Sequence, residues 1–479
     1  MSVRDLLLFT ILPFTMPFVS SATVYAVETS PNIVLVMADD MGWGQTGYYN
    51  HPVLKTPNLD AMAAHGLRFD RFYAGAPNCS PTRATVMTGR TNDRTGTENH
   101  GVPMRPQERT IAQMAAEAGY ATGHFGKWHL NGMRGPGAPI LKDDIRSPGA
   151  FGFQTWLSVT NFFDRNPILS RMGVFEEFQG DSSEIIVDEA LKFIQRQADD
   201  GKPFLAVIWY GSPHSPFVAA DDDKVDFAEL KNNAQDHYGE LVAMDRSIGT
   251  LRKGLRELKV SDDTLVWFCS DNGGLPGIEP GTVGDLRGFK GTVYEGGLRV
   301  PCVIEWPAGI RQPRVTSFPA CTVDILPTVA DLLSVEPTED GRPLDGMSLK
   351  EVFRTDPAVR TKPIGFRHTG RSAYIDGDFK LVLSKAGTEN FELYDVVNDR
   401  KETQNLISQR EDVARELIGK WRTWNASVED SVAGKDYPEG KVVPRDPGPR
   451  TWTELDEYAP FLKKWKDRPE FRSYINKKK

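Results

Sequence analysis

Apolar residues along this chain gather in short unbroken runs instead of alternating with polar ones, a distribution that predicts strands covered on both faces. Asn32 to Met37, Pro203 to Trp209 and Thr264 to Cys269 are three such runs, rich in β-branched or aromatic residues. Tyr120 to Phe125 reads as a shorter strand. It follows a segment of helical composition, Thr110 to Ala118, that stops at Gly119, and a further strand spans Val300 to Trp306. Buried strands interleaved with helical stretches predict an α/β fold whose sheet has helices on its faces.

The pattern changes towards the end of the chain. An amphipathic helix from Asp324 to Leu333 closes the large unit, and the turn formers from Pro337 to Asp345 begin a link. Beyond it, Ser372 to Leu383 carries the hairpin signal Asp376-Gly377, followed by a strand from Phe391 to Val396 and a helix near Val413 to Trp424. These elements predict a smaller C-terminal α+β subdomain carrying an antiparallel sheet. From Val428 onward periodicity is weak, and no internal repeat occurs. The expected division is a leader over 1–26, a large domain over 27–345, and a subdomain with tail over 346–479.

The leader is read from Leu6 to Val19, an apolar run too short to span a bilayer and broken by Pro13 and Pro17, with small residues near Ala22 and Ala26. It predicts a signal peptide, with an uncleaved anchor as the alternative because Arg4 and Asp5 make a weak n-region, and hence a periplasmic or secreted protein without stable membrane insertion. The 479 residues include 39% hydrophobic, 25% charged and 10% aromatic residues, ordinary for a globular protein. A net charge of −8 argues against nucleic acid as a partner, so an anionic ligand requires a local cluster of positive groups. Four cysteines in an exported chain of this length provide no disulfide framework. Cys269 and Cys302 fall inside apolar runs and read as core, which leaves Cys79 in a polar, turn-like setting.

Around Cys79 the sequence runs Asn78-Cys79-Ser80-Pro81-Thr82-Arg83. Ser80 as N-cap and Pro81 at the first helical position predict a helix start, with Cys79 at the positive end of the dipole and Arg83 about one turn on. A small buried hydrophobe is the plain alternative for such a cysteine. Elsewhere, polar residues stand where buried strands end, the place where open α/β sheets bind ligands. Asp39 and Asp40 follow the first strand, and Asp271 and Asn272 follow the strand from Thr264; four oxygen-bearing side chains suit a hard divalent cation. Lys127 and His129 follow the Tyr120 strand, and His214 lies in the Ser212-to-Pro216 loop after Trp209. Lys290 sits in a glycine-rich loop. P-loop spacing is absent, which leaves nucleotide binding without support.

Together these motifs resemble the formylglycine-dependent (type I) sulfatase family of the alkaline phosphatase superfamily, over Asn32 to about Leu406. The most specific match is Cys79-x-Pro81-x-Arg83 followed by Thr88-Gly89-Arg90. The resemblance implies a large central mixed, mostly parallel sheet flanked by helices, alkaline-phosphatase-like, with the smaller C-terminal α+β subdomain. It implies that a formylglycine-generating maturation enzyme converts Cys79 to Cα-formylglycine (3-oxoalanine), whose hydrate is an oxygen nucleophile. One Ca2+ per chain is implied, held by Asp39, Asp40, Asp271, Asn272 and the modified Cys79. Arg83 is implied to hold the hydrate, Lys127 and Lys290 to stabilise charge on sulfate, His214 to act as general acid, and His129 to take the hydroxyl proton that lets sulfate leave.

The implied activity is hydrolysis of a sulfate ester on a sulfated small molecule or saccharide. A formylglycine-dependent phosphonate monoester or phosphodiester hydrolase is the alternative, since both tetrahedral anions need similar sites; a catalytically silent glycan-binding protein would have lost core groups, and none is lost. Two positions depart from the family pattern: Gln45, where relatives commonly carry an acid, and Phe289 before Lys290, where glycine is frequent. Both are expected to alter the pocket rim. Asn99, His100, Arg134 and Asn161 are polar residues near the motifs, with a surface role or a substrate contact both open.

Overall fold

The unbroken apolar runs form the centre of a ten-stranded sheet in a computed structural model that describes residues 30–475 apart from 232, 339–340, 386 and 445–447. The leader expected over residues 1–26 lies outside the described residues. Five parallel strands stand side by side in the order Thr264–Ser270, Asn32–Ala38, Phe204–Trp209, Ala121–Lys127 and Thr155–Val159. Antiparallel strands extend both sides: Cys302–Glu305 pairs with Thr264–Ser270, and Ile168–Arg171 with Thr155–Val159. The sheet is therefore mixed with a parallel centre, as expected.

Continuous apolar sequence follows from two-sided burial. Ile33, Leu35 and Met37 face a core completed by Met87, Ile111, Met114, Leu326 and Val329. Val34 and Val36, on the opposite face, meet Ile186, Phe193, Leu241 and Met244. The last four come from two long helices, Ser182–Asp199 and Ala234–Glu257, which the sequence reading did not identify. Cys269 and Cys302 are register partners between neighbouring strands, buried and unbridged, in the core role expected of them.

Ile364–His368, Arg371–Asp376, Phe379–Leu383 and Glu392–Asp395 make a separate four-stranded antiparallel sheet. Its central hairpin turns at Gly377-Asp378, with Gly377 at φ 61°, a conformation glycine adopts without steric cost. The helix on this sheet is longer than its periodicity predicts and runs from Glu411 to Val432. Its first half packs Ala414, Leu417, Trp421 and Trp424 on the sheet. The second half is held by arginines of the large unit: Arg94 donates to Ser427 O and Ser431 Oγ, and Arg105 to the Ser431 and Val432 carbonyls.

The tail is also more ordered than its weak periodicity suggests. Arg450–Thr451 pairs in parallel with Met133–Arg134, and Trp452, Tyr458, Trp465 and Phe471 bury a small core there. Trp452 Nε1 and Tyr458 OH donate to the carbonyls of Pro136 and Pro139 at 2.9 and 2.7 Å. Long-range aromatic burial, invisible to a local window, fixes this segment.

Candidate active site

The register of two neighbouring strands builds one side of the site. Ala38 pairs with Ser270, so the next residues of both chains leave the sheet together, and Asp271 N donates to Ala38 O at 3.1 Å. Asp40 turns into the left-handed region at φ 68°, where its N–H meets Asp271 Oδ1 at 3.1 Å. Asn272 Nδ2 donates to Asp40 Oδ1 at 2.8 Å. Asp39, Asp40, Asp271 and Asn272 are all fully buried.

The helix that faces them starts two residues earlier than the sequence predicts. It spans Cys79–Thr88 with Asn78, not Ser80, as N-cap; Asn78 Oδ1 accepts the Cys79 N–H at 2.9 Å. Ser80 is instead a tether, its Oγ accepting from Gly101 N at 2.9 Å. Proline is equally compatible with the third helical position, because that N–H also lacks an intrahelical acceptor. The helix ends at Gly89, φ 67°, and every one of its residues is buried. Burial pushes the Cys79 thiol up to about 12, although Lys127 and Lys290 pull against it, so an unmodified thiol here stays protonated at neutral pH.

Cations come from this helix and from two other elements. Arg83 lies over the Trp209 ring at 5.0 Å and donates to Asp271 Oδ2 at 2.7 Å and to Lys127 O at 3.3 Å. Lys127 Nζ is 2.5 Å from Asp39 Oδ2, and Lys290 Nζ is 2.6 Å from Asp40 Oδ1. Burial opposes ionisation of Asp40, yet Lys290 and His214 outweigh it and hold that carboxyl well below the usual range. Asp271 moves the other way, to about 7, pushed up by burial and by Asp39 against Arg83 and Lys127.

His214 stacks on Phe162, centroids 4.7 Å apart and planes 7° from parallel. Its Nδ1 bonds to Ser215 O at 2.5 Å, leaving Nε2 towards Asp40 Oδ2 at 3.8 Å. Burial, with Lys290 beside it, lowers its pKa to about 3. His129, at φ 55°, is buried with no hydrogen-bond partner for either ring nitrogen among the described residues. Burial and then Lys127 and Arg83 put its pKa well below the ordinary value.

A hard cation fits this donor set. Carboxylate oxygens of Asp39, Asp40 and Asp271 lie within 4.8 Å of one another, and Asp39, Cys79 and His214 bring ligand atoms equally close together. Asp39 Oδ1 and Asn272 Oδ1 are buried without a hydrogen-bond partner, an arrangement a bound ion would satisfy.

All ten residues singled out in the sequence thus belong to one buried neighbourhood. The two departures do not both reach its rim. Gln45 is fully buried and bonds Gly42 N at 2.9 Å and His237 Nε2 at 2.6 Å, so it braces the loop behind Asp39 and Asp40. Phe289 packs beside Trp43, Val283 and Leu286. Sequence reasoning missed Asn78, legible as an N-cap, and Phe162, whose stacking on His214 has no local signal.

Buried carboxylates, cations and a helix-borne cysteine thus gather at the carboxyl edge of the sheet's parallel centre, an arrangement able to hold a divalent cation and an anion together. The family model described as Sulfatase matches residues 31–335, and the chain belongs to the sulfatase family. It is 34% identical over 354 residues to N-acetylgalactosamine-6-sulfatase of Sus scrofa, covering 67% of this chain and 65% of that relative, slightly under two thirds of its length. The ulvan-active sulfatase of Formosa agariphila is 28% identical over 443 residues, covering 85% of this chain and 84% of that one. Among solved structures, Ps i-CgsB has a TM-score of 0.75 at 25% identity, covering 83% of this chain and 93% of that one.

Proposed function

We propose that this protein is an exported sulfuric ester hydrolase acting on a sulfated carbohydrate, with formylglycine made from Cys79 as its nucleophilic residue and Ca2+ as its metal. The observation that carries the reading is the convergence of three carboxylates, two lysines, an arginine and two histidines on the buried start of the Cys79–Thr88 helix. The ulvan-active relative, similar over most of both chains, supports a polysaccharide source for the substrate.

When bound, Ca2+ supplies positive charge against which a hydroxyl at residue 79 and a sulfate oxygen are both polarised; Asp39, Asp40, Asp271 and Asn272 would hold it. The chain's own groups do the rest. Asn78 fixes residue 79 by accepting that residue's N–H, and Arg83, one turn along the same helix and clamped on Asp271, holds the hydrated side chain. Lys127 and Lys290 bind the equatorial sulfate oxygens, where charge builds in the transition state. The incoming sulfate is itself an anion and raises the affinity of both imidazoles for protons. His214, oriented by Ser215 O and Phe162, then delivers a proton from Nε2 to the departing alcohol. His129, whose nitrogens have no hydrogen-bond partner among the described residues, takes the proton that releases sulfate.

Turnover of defined sulfated saccharides, an aryl sulfate and an aryl phosphodiester tests this reading, alongside peptide mass across residue 79. Cys79→Ala is expected to lower kcat at least a thousandfold with the fold intact. Unchanged turnover in that variant, or a clear preference for the diester in the parent, overturns the proposal.

A further inference from the structure

Two exposed arginines stand on either side of the chain around residue 79, each joined to it through one intervening loop residue. On one side, Asn99 Oδ1 accepts from Asn78 Nδ2 at 3.0 Å and Gly101 N donates to Ser80 Oγ at 2.9 Å, so the 99–101 loop hangs from both neighbours of Cys79. The stem of Arg134 lies on that loop: a Cβ added at Gly101 would meet Arg134 Cγ at 2.8 Å, and Gly101 is at φ +65°. The backbone after Arg134 is held by Asn161, whose Nδ2 donates to Gly135 O at 2.7 Å. On the other side, Gly291, next to Lys290, donates its N–H to Pro77 O at 2.8 Å. Arg371, at the tip of the first hairpin of the C-terminal sheet, donates from Nη1 to Gly291 O at 3.1 Å.

The charge at this mouth is positive and uncompensated. The Arg134 guanidinium has neither ion pair nor side-chain hydrogen bond among the described residues, and Arg371 spends its one bond on a neutral carbonyl. After burial, the influences on His100 are Arg134, Lys290 and Lys127, and those on His368 are Arg371 and His100; every one of them lowers the pKa. Arg134, His100, His368 and Arg371 therefore follow one another in a row, and His100 within it also lies in reach of Lys290 and Lys127.

We propose that Arg134 and Arg371 form a second anion subsite at the mouth, which takes a further sulfate or a carboxylate beside the scissile sulfate and so selects polyanionic saccharides. This inference rests on the sulfatase reading above and adds the substrate class to it. Planar guanidinium forks suit both oxyanions.

The test uses the full chain with residue 79 confirmed as modified by peptide mass. It measures kcat/KM on matched hexosamine derivatives bearing one sulfate, two sulfates, or one sulfate and an adjoining uronate carboxylate. The parent is expected to prefer one doubly charged substrate by about tenfold or more, and that ratio is expected to fall about tenfold in Arg134→Gln and in Arg371→Gln. The ratio also declines with added salt. The substrate that loses most identifies the second anion as sulfate or carboxylate. A parent with no preference, or a ratio unchanged in both variants, overturns the subsite while leaving the sulfatase reading intact. Absence of turnover on every sulfate ester by the mature parent overturns both.

Discussion

Replacing Lys380 with Met removes the ion that joins the C-terminal sheet to the base of the Lys290 loop. Lys380 is fully buried, its Nζ 3.0 Å from Glu295 Oε1 and 2.9 Å from Glu402 Oε1, the second contact being ionic without hydrogen-bond alignment. Loss of one partner from a buried pair costs about 3–5 kcal/mol, because the remaining charge stays desolvated. Here Arg299 remains 3.4 Å from Glu295, and Glu402 keeps the Glu295 N–H at 2.7 Å, so the lower end, about 3 kcal/mol, is expected. With about 2.1 cal/mol/K of unfolding entropy per residue, that loss lowers Tm by only about 3 °C in a chain this long, so denaturant melts are the better assay. The pH dependence is more diagnostic. Burial already lifts Glu402 to about 6 with the ammonium in place, and removal of the ammonium lifts it further. A carboxyl whose folded pKa exceeds its unfolded value contributes stability that is complete below the unfolded value and lost as pH rises through the folded one. The deficit of Lys380→Met is therefore larger at pH 8 than at pH 5, and adding Glu402→Gln restores part of it at pH 8. Because Gly296 N, next to Glu295, holds Arg287 O at 2.7 Å, kcat/KM falls in the same variant. A deficit below about 1 kcal/mol that does not change with pH would refute the argument.

Gly126→Ala is expected to destabilise the protein by about 3 kcal/mol or more and to displace Lys127, since the new Cβ would lie 2.0 Å from Trp209 O at a φ of +103°; denaturant melts and turnover measure both effects. Asp181→Asn is expected to stabilise at pH 8 by about 1–3 kcal/mol and to be near neutral at pH 4. Burial raises Asp181 from 3.8 to about 6, so its contribution is full below about 4 and is lost as pH rises through 6, whereas Asn keeps the cap on Ser183 N without the charge. Equal melts for parent and variant at pH 8 would contradict that account.

The strands that carry the site were legible because two-sided burial writes itself into contiguous sequence, as at Asn32–Ala38 and Thr264–Ser270. The polar residues stood out because they interrupt those runs at one end of each strand. What stayed hidden depends on partners distant in sequence. The Ser182–Asp199 and Ala234–Glu257 helices, the extension of the last long helix to Val432, and the aromatic core of the tail are stabilised by contacts with far segments. The N-cap was misplaced because Asn and Ser are near equals there; the choice is made by Gly101, which occupies the Ser80 hydroxyl and leaves Asn78 to the helix. The acidic departure at Gln45 reads as a rim feature only until His237, far along the chain, is seen against it.

The burial that suits Cys79 to a site also restricts how it can be modified. Its side chain is 2% exposed, the helix it begins is buried throughout, and Gly291 N and the 99–101 loop close over Pro77, Asn78 and Ser80. An enzyme that oxidises the thiol must reach it, and the folded chain offers neither an exposed Cys79 nor a thiolate, since burial raises the thiol to about 12. The conversion proposed above is therefore expected to precede closure of this helix. Unmodified protein purified in the folded state is expected to remain thiol at residue 79 when a formylglycine-generating enzyme and oxygen are added. The same chain presented unfolded, or as a peptide spanning residues 74–90, is expected to convert to aldehyde. Peptide mass across residue 79 reads both arms, and efficient conversion of the folded chain would show that this helix opens far more readily than its burial implies.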